Sequence, residues 1–385
     1  MDDMKRMKRY ERLWQPLYHV AKWYILKKFK IQAETMKLPG PALIICNHVS
    51  NWDPLLVGLC FPKDQVSFVA SEHLFRRGFV SGLIRFIVCI IARPKASGST
   101  QTVVTCLKYL RSGHSVGLFA EGDATWNGIT QPVFSATGKL AKNSGAYLVT
   151  MRSKGLYLAD PRWSPNLRWG DCSIGAVKIY SPEELREMTA EEVTDAINRD
   201  IHEDTWEEQR GEPVSYTSEA GLTTRLESGL FLCPMCHHIG RMKGKGDVFA
   251  CSCGMQARML PTGFLTDGSP FETIAEWDAY QFDVLLKGVY KKEKDCLFSD
   301  EGAVLSEIER DRHRNKVLDR GRLRCLEDRI VIGDTEFLYA MIDDMSMVQT
   351  DVLLFTHQHH YYETTLPKGC CLRKYLAVWK EKHTA

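Results

Sequence analysis

No stretch of this sequence reaches the ~18 consecutive apolar residues that a membrane-spanning helix needs. The longest candidate, 79–92, is interrupted by Arg85. Net charge is also scarce: 50 Lys and Arg against 48 Asp and Glu leave +2, so no global field argues for a nucleic-acid partner. The start lacks the basic n-region, apolar h-region and cleavage site of a signal peptide, and the 13 cysteines show no regular pairing. Together these features point to a reducing interior, where cysteine serves metal or core rather than disulfides.

What is present is ordinary in bulk, with 44% hydrophobic and 25% charged residues in a chain of 385. That length allows two or three domains of ~100–200 residues each. The N-terminal segment, 1–40, combines Lys5, Arg6, Lys8, Arg9, Arg12, Lys22, Lys27, Lys28 and Lys30 with Trp14, Leu17, Tyr18, Trp23, Tyr24, Ile25 and Leu26. Trp14, Leu17, Tyr18, Ala21 and Ile25 fall at helical spacing on one face. A basic helix with aromatics on its apolar side suits an interfacial membrane anchor, and equally a helix packed on its own domain.

Strands and helices then alternate, with strand candidates at 42–46, 66–70, 87–92, 115–120, 147–151 and 174–179. The clearest helix, 101–112, has Val103, Leu107 and Leu110 as its apolar stripe, Ser99 or Thr100 to cap it and Gly113 to end it. Over 41–212 this order predicts an α/β domain whose largely parallel sheet is covered by helices. Its last part, 181–212, reads as helix, with starts at Ser181-Pro182 and Thr189 and a buried face of Val193, Ile197, Ile201 and Trp206.

The run 42–46 ends on Asn47-His48, and Asp53 follows His48 after four intervening residues. With Ser50 capping a helix that opens at Asp53-Pro54, the Asp53 carboxylate comes within reach of the His48 imidazole, a general-base arrangement. Arg93, after the strand at 87–92, is a fixed cation suited to phosphate or carboxylate. Glu121-Gly122-Asp123 follows the strand at 115–120, and the glycine permits a tight turn. Ligands gather at such strand ends, so His48, Arg93 and Glu121 are candidates for one pocket.

Taken together, these residues resemble the glycerolipid O-acyltransferases of the lysophosphatidic acid acyltransferase type. Asn47-His48-Val49-Ser50-Asn51-Trp52-Asp53 fits that family's first block, Asn-His-x-Ser-x-x-Asp. The segment 66–70 with Leu74-Phe75 looks like the approach to the second block, Ile91-Ala92-Arg93 falls at its arginine, and Phe119-Ala120-Glu121-Gly122 falls at Phe-Pro-Glu-Gly. The resemblance covers roughly 31–183. It implies His48 as base held by Asp53, an acyl donor such as acyl-CoA or acyl-carrier protein, and a lyso-lipid acceptor contacted by Asn47, Ser50, Arg93, Glu121 and Gly122. It further implies peripheral association with the cytoplasmic face of a membrane.

The sequence also departs from that pattern. Gly122-Asp123-Ala124 replaces Gly-Thr-Arg, Ala120 and Thr150 replace prolines, and Ser135 replaces a lysine before Gly138. A cation expected near the acceptor phosphate is absent and Asp123 adds a repelling charge, for which Arg152 and Lys154 are the compensating candidates. These changes also fit a second reading, a catalytically lapsed membrane-lipid-binding adaptor.

A polar stretch at 213–228 reads as a linker. In the next segment, 229–260, Cys233-Pro234-Met235-Cys236 is followed after 14 residues by Cys251-Ser252-Cys253-Gly254. Two cysteine pairs on short turns resemble a zinc ribbon and predict a structural Zn²⁺ on Cys233, Cys236, Cys251 and Cys253, although the second pair has one spacer rather than two. His237 or His238 is a substitute for one thiolate. A helical connector is expected over 261–300, and short alternating runs closed by a helix over 301–385 look like a pleckstrin-homology-type module. His357, His359 and His360 read as strand residues rather than ligands.

Overall fold

The computed structural model describes residues 3–71, 90–93, 100–309 and 314–384. They group into two compact units, the second formed by Arg162–Asn166 and Ser218–Ala385, the first by Leu167–Thr217 with most of the chain before Pro161.

In the first unit the strands are β1 (Lys30–Ala33), β2 (Ala42–Cys46), β3 (Val66–Ser71), β4 (Ile90–Arg93), β5 (Ser115–Leu118), β6 (Tyr147–Lys154) and β7 (Asp171–Tyr180). They form one sheet in the order β1-β7-β6-β2-β5-β3-β4. Every pairing is parallel except β6 with β7, so the largely parallel α/β expectation holds. β2 is buried at all of its positions: β5 and β6 pair with both of its edges, and side chains such as Leu43 and Ile45 pack under the helices. Its unbroken apolar run is the pattern of a central strand.

The helices of this unit are α1 (Asp3–Lys28), α2 (Asp53–Leu59), α3 (Thr100–Arg111), α4 (Ala136–Asn143), α5 (Leu156–Ala159), α6 (Pro182–Glu187), α7 (Ala190–Ile201) and α8 (Thr205–Gly211). Cys106 and Leu110 of α3, Leu140 of α4, and Val193, Ile197 and Ile201 of α7 pack with Leu43, Ile45, Val116 and Leu148 of the sheet. Gly138 is required where α4 meets α7, since a Cβ there would lie 2.2 Å from the Ala190 carbonyl oxygen. Ser181 and Thr189 form capping boxes with Glu184 and Glu192, as their spacing predicts.

Two expectations change, and one of the two readings of the N-terminal helix is met. Ser50 does not cap α2: Trp52 occupies that position in helical backbone without a side-chain cap, while Ser50 Oγ accepts the Trp52 N–H at 3.0 Å. The segment 213–228 is no free linker, because the Tyr216 hydroxyl donates to the Asp171 carbonyl at 2.7 Å and Leu226 is buried. Its polar composition conceals these anchors. The helix α1 packs on its own domain through the expected face, with the Trp14 indole donating to the Phe61 carbonyl at 3.1 Å and the Tyr18 hydroxyl to that of Leu59 at 3.1 Å. Leu74, Phe75, Ser99 and the apolar stretch 79–89 lie outside the described residues, as do the side chains of Lys5, Arg6, Lys8, Arg9 and Arg12.

The second unit opens on a four-stranded antiparallel sheet of β8 (Met242–Lys245), β9 (Val248–Cys251), β10 (Gln256–Met259) and β11 (Leu265–Thr266). The expected connector helix is α9 (Ile274–Leu286), started by a Thr273–Glu276 capping box. It is anchored by Trp277, whose indole donates to the Leu232 carbonyl at 3.0 Å.

Seven strands follow: β12 (Phe298–Glu309), β13 (Arg314–Cys325), β14 (Arg329–Ile332), β15 (Thr335–Leu338), β16 (Ile342–Val348), β17 (Val352–His357) and β18 (His360–Thr365). Their order, β15-β14-β13-β12-β18-β17-β16, joins two antiparallel meanders through the β12–β18 pairing, and α10 (Arg373–Thr384) follows. The β module therefore begins at Phe298, inside the expected connector. Shifts of register between Asp300 and Ala303 and between Leu305 and Ser306 break the period-two pattern that would have revealed β12. His357 and His360 close a hairpin whose turn residues Gln358 and His359 have φ of 50° and 67°.

Candidate active site and cysteine cluster

The chain leaves β2 toward β3 on one side of the sheet and β5 toward β6 on the other, although β2 and β5 are adjacent. The strand order thus reverses between them, and the C-terminal ends of two such strands diverge into a crevice. Asn47 and His48 leave β2 there, and Phe119 to Gly122 leave β5.

Asn47 fixes the edge of that crevice. Its side-chain oxygen accepts the Ser153 N–H at 2.8 Å and its amide donates to the Ser153 carbonyl at 3.0 Å, lacing β2 to β6. Asn47 therefore holds the scaffold instead of presenting a free polar group. His48 follows, half-buried, with Nδ1 at 2.7 Å from Asp53 Oδ2. Asp53 also accepts the Val49 N–H at 2.7 Å and the Ser50 N–H at 3.1 Å. Three donors converge on one buried carboxylate, so its position is set by the whole loop. In the tautomer that donates from Nδ1 to Asp53, the other ring nitrogen, Nε2, is an acceptor.

Glu121 acts on the same loop from β5. One carboxylate oxygen accepts the His48 N–H at 2.5 Å and the other accepts the Gln131 N–H at 2.6 Å. Burial pushes its pKa up to about 7, although both N–H bonds lower it. Gly122 has φ 87°, and a Cβ there would lie 2.6 Å from the Phe134 ring. Thr125 then donates its N–H to the His48 carbonyl at 2.9 Å, so both backbone groups of His48 are held by the strand-end loop of β5. Ser50 is buried too, and its hydroxyl hydrogen-bonds Asp160, whose carboxyl burial raises to about 6. Asp160 has no motif around it in the sequence; only the end of α5 brings it beneath the loop.

The basic candidates fare differently. Arg93 ends β4, with its side chain outside the described residues. An Arg152 guanidinium nitrogen donates to the His202 carbonyl at 2.9 Å, and Lys154 pairs with Glu208 at 2.7 Å. Thr150, at the fourth-block proline position, donates to buried Asp200 at 3.0 Å and so joins β6 to α7. Ser135 stands exposed at the start of α4.

Beside this loop lies a cavity of about 320 Å³, lined by Val69, Cys106, Leu118, Phe119, Ala120 and Leu140 among others. The Phe119 ring stacks on His48 at 4.8 Å, so the apolar space begins where the imidazole ends.

In the second unit, Cys233, Cys236, Cys251 and Cys253 bring their sulfurs within 4.8 Å of one another. The Cys233–Cys253 and Cys236–Cys251 pairs are each 3.7 Å apart. Four sulfurs about 2.3 Å from a tetrahedral metal centre lie about 3.8 Å apart, so the donor set fits Zn²⁺ without a histidine. His237 Nε2 instead meets the Tyr280 hydroxyl at 3.0 Å.

Residues 28–154 match the family model described as Acyltransferase. The described residues of the matched stretch lie in the first unit, and His48, Asp53 and Glu121 all fall inside it. Among solved structures, the chain is similar to the 1-acyl-sn-glycerophosphate (LPA) acyltransferase PlsC from Thermotoga maritima, at 17% identity and a TM-score of 0.40, over 52% of this chain and 81% of that one.

Proposed function

We propose that this protein is an O-acyltransferase that moves a fatty acyl group from an acyl thioester to a hydroxyl of a lyso-phospholipid such as 1-acylglycerol-3-phosphate. The donor is acyl-CoA or acyl-carrier protein. The observation that carries the reading is the 2.7 Å contact between His48 Nδ1 and Asp53, at the crevice end of a domain that matches an acyltransferase family.

In this mechanism the acceptor oxygen attacks the thioester carbonyl carbon as His48 Nε2 takes its proton. The tetrahedral oxyanion then collapses, the C–S bond breaks, and the imidazolium returns the proton to the leaving thiolate. Ester and thiol are the products, with no covalent acyl-enzyme, because the thioester is already activated. The apolar cavity next to Phe119 suits the acyl chain. The cysteine cluster in this reading holds a structural Zn²⁺, because four protein ligands leave no open position for substrate.

The test is thiol release from long-chain acyl-CoA with a panel of lyso-lipid acceptors. The natural protein should turn over, and His48→Ala should lower the rate by about 100-fold or more. Equal rates in the two proteins would favour the lapsed-adaptor reading.

A further inference from the structure

Asp160 lies beyond the stretch that matches the family model, and no step of the proposed reaction uses it. Its place is set by the sheet. β2 and β6 are parallel neighbours with Cys46 opposite Met151, so the segments that follow them leave the same edge. After β6 comes α5, whose side chains are all buried, and Asp160 closes it by donating its N–H to the Leu156 carbonyl at 2.8 Å. The Tyr157 hydroxyl of α5 donates to the Trp126 carbonyl at 3.0 Å, next to the Thr125 whose N–H holds the His48 carbonyl. Buried Arg168 donates its backbone N–H to the Ala159 carbonyl at 2.8 Å and a guanidinium N–H to that of Leu158 at 3.3 Å. Asp160 is thus presented on a rigid support.

Its partner is buried Ser50. The Ser50 oxygen Oγ accepts the Trp52 N–H at 3.0 Å, its backbone N–H goes to Asp53 Oδ2 at 3.1 Å, and its carbonyl accepts the Asp53 N–H at 3.3 Å. Those bonds set Asp53, and with it the contact to His48 Nδ1. They leave one group over, the hydroxyl hydrogen of Ser50, and Asp160 takes it. Burial pushes the Asp160 carboxyl up to about 6, with the Ser50 bond and the Arg168 charge opposing the rise and the Asp53 charge adding to it. Above that value it is a carboxylate and only accepts, so the Ser50 hydroxyl has one orientation and its lone pairs stay with Trp52. Without Asp160 a buried donor loses its acceptor, and the turn must shift to relieve it.

We propose that Asp160 is a positioning residue for the acyl transfer: through the Ser50 hydroxyl it locks the turn that sets Asp53, and so the tautomer and ring direction of His48. Ser50 in this arrangement serves His48 rather than the acceptor. The effect on rate rests on the acyl-transfer reading, whereas the hold on His48 does not depend on it.

The experiment joins kinetics to nitrogen NMR spectra of the neutral imidazoles in the full chain, with His48→Ala assigning the His48 signals. Asp160→Asn keeps an oxygen for the Ser50 hydroxyl, whereas Asp160→Leu keeps the bulk without it. Asp160→Leu should lower kcat for thiol release from acyl-CoA about tenfold or more, with KM little changed because Asp160 acts through Ser50. Asp160→Asn should recover most of that rate. In a Ser50→Ala background Asp160→Leu should cost less than about twofold, since the link it acts through is already gone. The His48 proton should sit on Nδ1 in the natural protein and in Asp160→Asn, and divide between both nitrogens in Asp160→Leu. Ser50→Ala deletes the same bond from the other side and repeats both readouts should Asp160→Leu fail to fold. Additive losses in the double variant, a rise in KM at constant kcat, or an unchanged tautomer in the folded variants would overturn the proposal. A natural protein without acyl transfer whose His48 tautomer still answers to Asp160→Leu leaves the positioning role standing and removes the reaction. Acyl transfer with neither readout moved does the reverse, and absence of both transfer and response removes both.

Discussion

The Glu121 carboxylate bridges the backbone N–H groups of His48 and Gln131 at 2.5 and 2.6 Å. Both of its oxygens are thereby used to hold the chain that carries His48, so its role in this geometry is positional. The family resemblance alone would have set Glu121 around the acceptor.

Glu121→Gln tests that role through its pH dependence. Burial raises the carboxyl to about 7 in the folded state, above its unfolded value, so the folded state binds the extra proton. Stability from this group is complete below about pH 4.5 and falls as pH rises to about 7. Denaturant titrations should show that downward slope reduced in Glu121→Gln, with acyl transfer also lowered as the His48 backbone loosens. An unchanged slope would refute the assignment.

Asp53→Asn keeps one acceptor oxygen but cannot take three N–H donors as a carboxylate does. The expected result is a fall in acyl transfer of about 100-fold or more from loss of the held tautomer. A fall in stability of roughly 1–3 kcal/mol should accompany it. Rates at natural levels would show that the imidazole needs no orienter.

Acceptor choice should be broad or shifted away from phosphate. Asp123 is present, and Arg152 and Lys154 are engaged by the His202 carbonyl and Glu208. Turnover on lysophosphatidic acid should not greatly exceed that on uncharged or zwitterionic lyso-lipids. A strong preference for lysophosphatidic acid, insensitive to Arg152→Ala and Lys154→Ala, is the contrary outcome.

Ala136, exposed at the mouth of the apolar cavity, offers a probe of the acyl site. Ala136→Trp should shift preference toward shorter acyl donors, read as the ratio of kcat/KM across chain lengths, with little change for short donors. A parallel loss at every chain length would place the acyl group elsewhere.

Metal analysis of purified protein should find one zinc per chain. Chelation or Cys236→Ser should destabilise the second unit, because binding energy at such a site is folding energy. Substoichiometric zinc, with the region still folded after chelation, would contradict the assignment.

Sequence alone settled those features whose physical cause is local. The unbroken apolar run 42–46, the helix starts at Ser181 and Thr189, and two cysteine pairs on short turns each carry their own signal, and each element formed where its chemistry lies. The spacing of His48 and Asp53 likewise places a carboxylate within one loop of the imidazole. Only the tertiary structure decided which groups that loop leans on. Glu121 clamps His48 across 73 positions and Asn47 is tied to Ser153 across 106, contacts that exist because β5 and β6 flank β2. Asp160 was hidden for the same reason. Helical spacing marked the face of α1 that carries Trp14, Tyr18 and Ile25, but that this face packs on its own domain was settled by the surface that α2 and the chain after it present to it.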